Sequence, residues 1–247
     1  PKEYLKFFRD ECGIKPIEMC INESDAILIH NSRYRSLFDT TILQIVIGTS
    51  SMDFSLYSNQ KNISECSWGI NTGTHIIEDI IVDYIFRNNE DNLKEVLAYG
   101  QGRELCDIYT VIFNIVKKSV DDYFVYNKCF FECEARFRDL VSNWPSRIDA
   151  AFCLCLSNKE FMHLIQADTN ILVQSIKHAS TKLNNFGVKP NVVLLSGVGC
   201  KIGFIRDIVK SEFPNAKILQ DISPEYAISN GNALYVQKIY QDKSFIY

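Results

Sequence analysis

Val192-Val193-Leu194-Leu195-Ser196-Gly197-Val198-Gly199-Cys200-Lys201-Ile202-Gly203 is the stretch that decides the fold class of this chain. Four consecutive apolar residues of strand length predict a β-strand covered on both faces. The run stops in a glycine-bearing turn. Phe204, Ile205, Ile208, Val209 and Phe213 then recur at helical spacing up to Pro214. Lys217-Ile218-Leu219 predicts a second strand, and Ser223 with Pro224 supplies an N-cap and a first helical position for a last helix reaching about Gln237. Strand, helix, strand, helix implies parallel strands joined by a crossover.

Working outward, residues 42–47 form a β-rich run that stops at the small-residue turn Gly48-Thr49-Ser50-Ser51. Residues 53–57 alternate polar and apolar, Ser58-Asn59-Gln60-Lys61 is turn chemistry, and residues 63–68 predict a further strand, so a β-meander precedes the parallel part. Residues 76–86 predict a helix with Ile76, Ile77, Ile80, Ile81, Tyr84 and Ile85 on one face and Glu78, Asp79 and Asp83 off it. The middle of the chain reads as a helix over 108–120, a polar turn at Asp121-Asp122 and strands over 128–134, 136–141 and 150–156, with a turn at 143–147. A long helix over 159–183 is broken near 168–170, and a first helix spans 3–9 and ends near Gly13. Meander first, βαβ last and helices between define an α/β class.

The 247 residues are 47% hydrophobic and 23% charged, which excludes a disordered chain. Acidic residues outnumber basic ones, 30 against 26, so no basic field favours nucleic acid. No apolar run approaches the roughly 20 residues of a bilayer helix, and a membrane partner is not expected. Nine scattered cysteines without a Cys-x-x-Cys pair read as reduced, buried thiols, which favours a reducing, cytoplasmic compartment and no metal site. The start at Pro1 reads as a trimmed or internal piece of a longer chain.

Two strand-ending turns carry the candidate chemistry: Gly48–Ser51 as 48–51 and the second over 196–203. Small residues let backbone N–H groups approach a phosphate or a base closely, and the second turn also opens a helix. Gly197, Gly199 and Gly203 can alternatively be read as a dinucleotide fingerprint, with Asp221 as the ribose-binding acid of an oxidoreductase. His30, His75, His163 and His178 stand alone, so no catalytic residue is assigned. Glu78 and Asp79 read as first-turn helix residues, Glu132 and Glu134 as neighbours on an exposed strand face, and Trp68 and Trp144 as core and edge residues.

The order of several short motifs resembles the second lobe of the ATPase domain of the 70-kDa heat-shock protein (heat shock protein 70) chaperones, within the actin-like, ribonuclease H-like superfold. The family's G-L-x-V-x-x-I-I-N-E-P-T-A-A-A segment is similar to Gly13-Ile14-Lys15 followed by Asn22-Glu23-Ser24-Asp25-Ala26. Its second phosphate loop, D-L-G-G-G-T-F-D, corresponds to Val46-Ile47-Gly48-Thr49-Ser50-Ser51-Met52-Asp53. G-D-T-H-L-G-G-E-D-F is echoed by Gly73-Thr74-His75-Ile76-Ile77-Glu78-Asp79-Ile80. The adenosine turn V-L-V-G-G-S-T-R-I-P is similar to residues 194–203. N-P-D-E-A-V-A-Y-G-A-A is similar to residues 223–233.

The resemblance implies an end of the first lobe and a crossing segment over 1–38. A core subdomain would comprise 39–73 with 158–247, and a peripheral one 74–157. It implies ATP or ADP with Mg²⁺ as ligand, and nucleotide-binding roles for Gly48, Thr49, Ser50, Lys117, Gly197, Val198, Lys201 and Ile202. Lys117 enters with Asn114 and Asp121 as the counterpart of an E-x-x-K-x-x-x-S helix. The departures weaken that site: Val46 replaces the loop's opening aspartate and Thr49 and Ser50 replace glycines. Binding is therefore expected to be weak or absent, and hydrolysis slow or absent unless a neighbouring carboxylate such as Asp53 substitutes. The implied function is chaperone or co-chaperone work in protein folding and the stress response, with other chaperones, nucleotide-exchange factors or unfolded clients as partners. A pure interaction module on the same fold is the competing reading. A branched residue at Gly197 is expected to block the ligand and leave the fold intact.

Overall fold

In the computed structural model, residues 10–11, 21–33, 40–59, 61–91, 94, 103–136, 151–166 and 169–243 are described. The sequence readings over 3–9, 136–141 and 143–147, and at Trp144, lie largely or wholly outside them. Helix α1 (Glu23–His30) leads into a mixed sheet. Strands β1 (Thr41–Ile47), β2 (Met52–Ser58), β3 (Lys61–Asn62) and β4 (Trp68–Ile70) form its antiparallel part. Helices α2 (His75–Asn88) and α3 (Arg103–Val125) follow, then a hairpin of β5 (Phe130–Arg136) and β6 (Ala151–Ser157). Helices α4 (Asn158–Gln166) and α5 (Asn170–Asn185) lead to β7 (Val192–Ser196), α6 (Gly203–Glu212), β8 (Lys217–Gln220) and α7 (Ala227–Lys243).

The sheet order is β3-β2-β1-β7-β8, with β4 also paired to β2. β1 runs antiparallel to β2 and parallel to β7, which is parallel to β8. The meander and the parallel half therefore stand on opposite sides of β1, and the class is α/β with a mixed sheet. Burial on both faces explains the apolar run of β7 and that of β1, which only the buried Gln44 interrupts. Leu43, Ile45 and Ile47 of β1, with Val193 and Leu195 of β7, belong to a core that also takes Ile81 of α2, Ile176 of α5 and Ile205 of α6. Ile42, Val192 and Leu194 point to the other face and pack with Ile27 of α1 and Ala227 of α7. On that face a side chain at Gly231 of α7 would run into the Ala26 carbonyl of α1, so glycine there lets the two backbones touch.

Three readings are corrected. Residues 63–68 do not form one strand: Ser64–Cys66 is a 3₁₀ turn, with the Cys66 and Ser67 amides donating to the Ile63 and Ser64 carbonyls, and only from Trp68 does the chain pair with β2. Asp121 and Asp122 do not break α3, because Val120 and Tyr123 keep its buried stripe going past them, and the helix ends at Val125. Ser223 makes no side-chain cap, and Pro224 opens a 3₁₀ turn, Pro224–Tyr226, before α7. The break near 168–170 does fall between α4 and α5.

Cysteine burial holds for Cys66, Cys133 and Cys200 but fails for Cys106, Cys129, Cys153 and Cys155, which are exposed. Cys153 and Cys155 sit opposite Glu134 and Glu132 in the hairpin, so the alternation that puts the glutamates outside puts these thiols outside too. Trp68 is half-buried, stacked on Phe54 at 4.9 Å, with the Lys182 ammonium 4.0 Å from its ring centroid. No helix among the described residues is long and apolar enough to cross a membrane.

Candidate functional site

The carboxyl ends of β1 and β7 bring both glycine turns to one edge of the sheet, where open α/β sheets receive ligands. The Gly48 amide donates to the Ser51 carbonyl at 2.9 Å and closes the first turn. Its carbonyls face the start of α2: Gly48 accepts from the Thr74 amide at 3.0 Å and Thr49 from the His75 amide at 2.9 Å. His75 Nδ1 lies 2.8 Å from the same Thr49 oxygen. A carbonyl only accepts, so that nitrogen carries the ring hydrogen. Thr49 and Ser50 are left exposed.

The second turn leaves β7 through Gly197 (φ +78°) and becomes a 3₁₀ turn, Val198–Lys201. A side chain on Gly197 would strike the Ile47 carbonyl oxygen. The expectation that a branched residue here spares the fold is thus overturned, since both the positive φ and the contact with β1 exclude it. Gly197→Ala is expected to cost about 2 kcal/mol of stability. Urea unfolding reads this directly, and an unchanged midpoint would contradict the packing described.

Between this turn and the two helices lies a cavity of about 280 Å³. α2 contributes Ile77 and Glu78, with Thr74 just before it; α3 contributes Val120, Asp121, Phe124 and Val125. The turn contributes Val198, Lys201 and Ile202, and Glu225 completes the rim. Lys201 Nζ lies 3.2 Å from Glu225 Oε2, both partly exposed, so the pair is worth about 0–1 kcal/mol and yields readily to a ligand. Burial raises the Asp121 carboxyl above its usual range, against Lys117. The Glu78 carboxyl is pushed up to about 7 by burial; Asp121 adds to this, while a backbone hydrogen bond, His75 and Lys117 oppose it.

Of the sequence-named residues, Val198, Lys201 and Ile202 meet on this cavity, and Gly48 and Thr49 are tied to its edge through Thr74 and His75. Gly197 sits one residue before the lining. Lys117 is exposed one turn earlier on α3 and is not part of the lining; Val120, Asp121 and Phe124 occupy the positions that face it. Sequence reasoning missed Glu78. The stripe of α2 that is buried is Ile77, Glu78, Ile81, Val82 and Ile85, so Glu78 lies within it and not off it. Its spacing to Ile81, Val82 and Ile85 is the signal that finds it.

Asp221 belongs to a different arrangement. Its carboxylate is buried and accepts from Asn31 Nδ2 at 3.0 Å, Ser196 Oγ at 2.9 Å and the Ser223 amide at 3.1 Å. His30 Nε2 lies 3.4 Å away. With its oxygens occupied internally, Asp221 does not present itself to a ribose.

Val46 faces Asp53 across the β1–β2 pair, and both border a shallow concavity with Glu23 and Ser24. The Asp53 carboxylate takes a 2.8 Å hydrogen bond from Ser51 Oγ. Among the described residues no cluster of three or more His, Cys, Asp or Glu side chains suits a metal ion.

No protein-family model matches this chain, and no curated protein matches it.

Proposed function

We propose that this chain is the second lobe of a divergent 70-kDa heat-shock-type chaperone ATPase domain, and that its cavity takes the nucleoside end of a nucleotide. The observation that carries this is the convergence of α2, α3 and the Val198–Lys201 turn on one cavity at the carboxyl ends of β1 and β7. A meander on one side of β1 and two parallel strands on the other support an actin-like ATPase fold. In this reading Thr74 to Val125 is the peripheral wall of the cleft, and Val198 to Glu225 the core wall.

A nucleoside fits these residues. The cavity is near the lower end of the roughly 300–1,000 Å³ typical of ligand sites, so it suits one base and sugar better than a dinucleotide. Apolar walls with a few polar groups are what a base requires, and Lys201, Thr74 and Glu225 are the candidates to hold the sugar. The magnesium–phosphate end does not fit. Val46 offers no oxygen where the resemblance asks for a carboxylate, and Thr49 and Ser50 put side chains where it asks for glycines. The role proposed is therefore chaperone or co-chaperone work in the cytoplasm without a fast ATP cycle, with other chaperones or unfolded clients as partners. Val46 equally favours the second reading, an interaction module that has left nucleotide behind.

Calorimetry with ADP decides. One lobe supplies about half the contacts of a micromolar ligand worth roughly −8 kcal/mol, so a Kd in the millimolar range is expected. A micromolar constant would overturn the one-lobe reading. Thermal shifts with ATP and NAD side by side separate the classes: stabilisation by NAD alone would revive the dinucleotide reading, and none by either would leave the interaction module.

A further inference from the structure

Glu78 is 2% exposed and borders the cavity, yet its Oε2 has no hydrogen-bond partner among the described residues. Desolvating a carboxyl oxygen without a partner is unfavourable, so buried polar atoms of this kind ask for an explanation. The groups facing it are Asp121 and Lys117 from α3 and His75 from its own helix, with Lys201 on the far wall. None donates a hydrogen bond to Oε2. Around it Ile77, Val120, Phe124 and Ile202 supply the apolar lining that a flat heteroaromatic ring takes. The site thus presents an apolar lining with a buried, unmatched acceptor, Glu78 Oε2, while its other carboxylates, Asp121 and Glu225, are exposed.

We infer that Glu78 is the specificity residue of this cavity: it selects a nucleobase carrying an exocyclic amino group, whose N–H donates to Glu78 Oε2. The inference rests on the nucleotide reading above and adds the group that reads the base. An ionised acceptor makes the stronger hydrogen bond, so affinity for an amino base rises as Glu78 loses its proton near pH 7. A base without that N–H leaves the acceptor unpaired and binds less well.

The test compares adenosine with purine riboside, which has the same ring and sugar but no amino group, on the 247-residue chain. At pH 8 adenosine is expected to bind about tenfold more tightly than purine riboside, the scale of one hydrogen bond to a charged group. Glu78→Leu brings that ratio to about one, and its continued binding of purine riboside shows that the fold is intact. Should Glu78→Leu not fold, Glu78→Gln carries the test: its adenosine affinity is flat between pH 6 and 8, where that of the unmodified chain rises. Equal binding of the two nucleosides by the unmodified chain overturns the inference and leaves the nucleotide reading standing. Failure of adenosine and ADP alike at millimolar concentration overturns both.

Discussion

Replacing Asp221 by alanine is expected to cost about 3–5 kcal/mol, a large part of the 5–15 kcal/mol that holds a typical domain. The side chain is fully enclosed, and its two oxygens gather Asn31 from the turn after α1, Ser196 from the end of β7 and the Ser223 amide from the loop after β8. Alanine would leave the buried Ser196 hydroxyl without its acceptor, Asn31 Nδ2 with only the Ile27 carbonyl, and the half-buried Ser223 amide unpaired. Each unpaired donor costs roughly 1–3 kcal/mol, less whatever the site recovers by relaxing. Asp221→Asn keeps the shape and one acceptor oxygen and should lose less. Urea unfolding of the three proteins measures the difference. If alanine costs under 1 kcal/mol, the cluster does not hold these elements together.

The consequence reaches the cavity. Ser196 is the residue before Gly197, so the same carboxylate that ties down α1 also sets the start of the turn carrying Val198, Lys201 and Ile202. Gln220 Nε2 donates to the Cys200 carbonyl at 2.9 Å and fixes the other end of that turn. Burial pushes the Cys200 thiol up to about 12, which keeps it a neutral packing group beneath the turn. Half of the cavity wall is thus held by polar contacts buried below it. The other half, at Glu78, is held by packing and by the Thr74 and His75 amides on the first turn, and leaves Glu78 Oε2 unmatched.

Elements whose burial pattern is continuous were readable from sequence. Residues 42–47 and 192–195 announce strands because both faces are covered, and the parallel pairing of β7 with β8 follows from the helix between them. Errors arose where local chemistry pointed one way and packing the other. Asp121-Asp122 has the composition of a turn, yet Val120, Tyr123 and Phe124 hold α3 against the core or beside the cavity for another turn. That extension carries the cavity-lining part of this helix face one turn beyond Lys117. Glu78 reads from sequence as a first-turn residue favoured by the helix dipole and lying off the apolar face. Its place in the stripe with Ile81, Val82 and Ile85 contradicts the residue type, and the packing decided. Asn31 and Asp221 stand 190 residues apart, so their contact follows from the close crossing of α1 and α7 over the sheet and from no local spacing.

Glu78 makes the last expectation a matter of sign. In the unfolded chain its carboxyl titrates near 4.5, and in the folded chain near 7. Between these values the folded state holds a proton that the unfolded state has lost, so stability falls as pH rises through this window. Below about pH 4.5 both states are protonated and the residue contributes no penalty. Above about pH 7 the penalty is complete, on the order of 3 kcal/mol from a shift of this size at about 1.4 kcal/mol per unit. Glu78→Leu removes the ionisable group and keeps an apolar side chain of similar reach in the stripe beside Ile77 and Ile81. The variant should therefore be more stable than the unmodified chain by about 3 kcal/mol at pH 8, with most of that gain gone at pH 5. Paired urea titrations at the two pH values give the comparison. A gain equal at both would mean that packing, and not ionisation, separates the two proteins. A loss at pH 8 would mean that the buried carboxylate is already satisfied, and its selection of an amino base would then lack a physical cause. The expected result makes the unmatched acceptor a standing cost to the fold, one that the proposed N–H donor would offset.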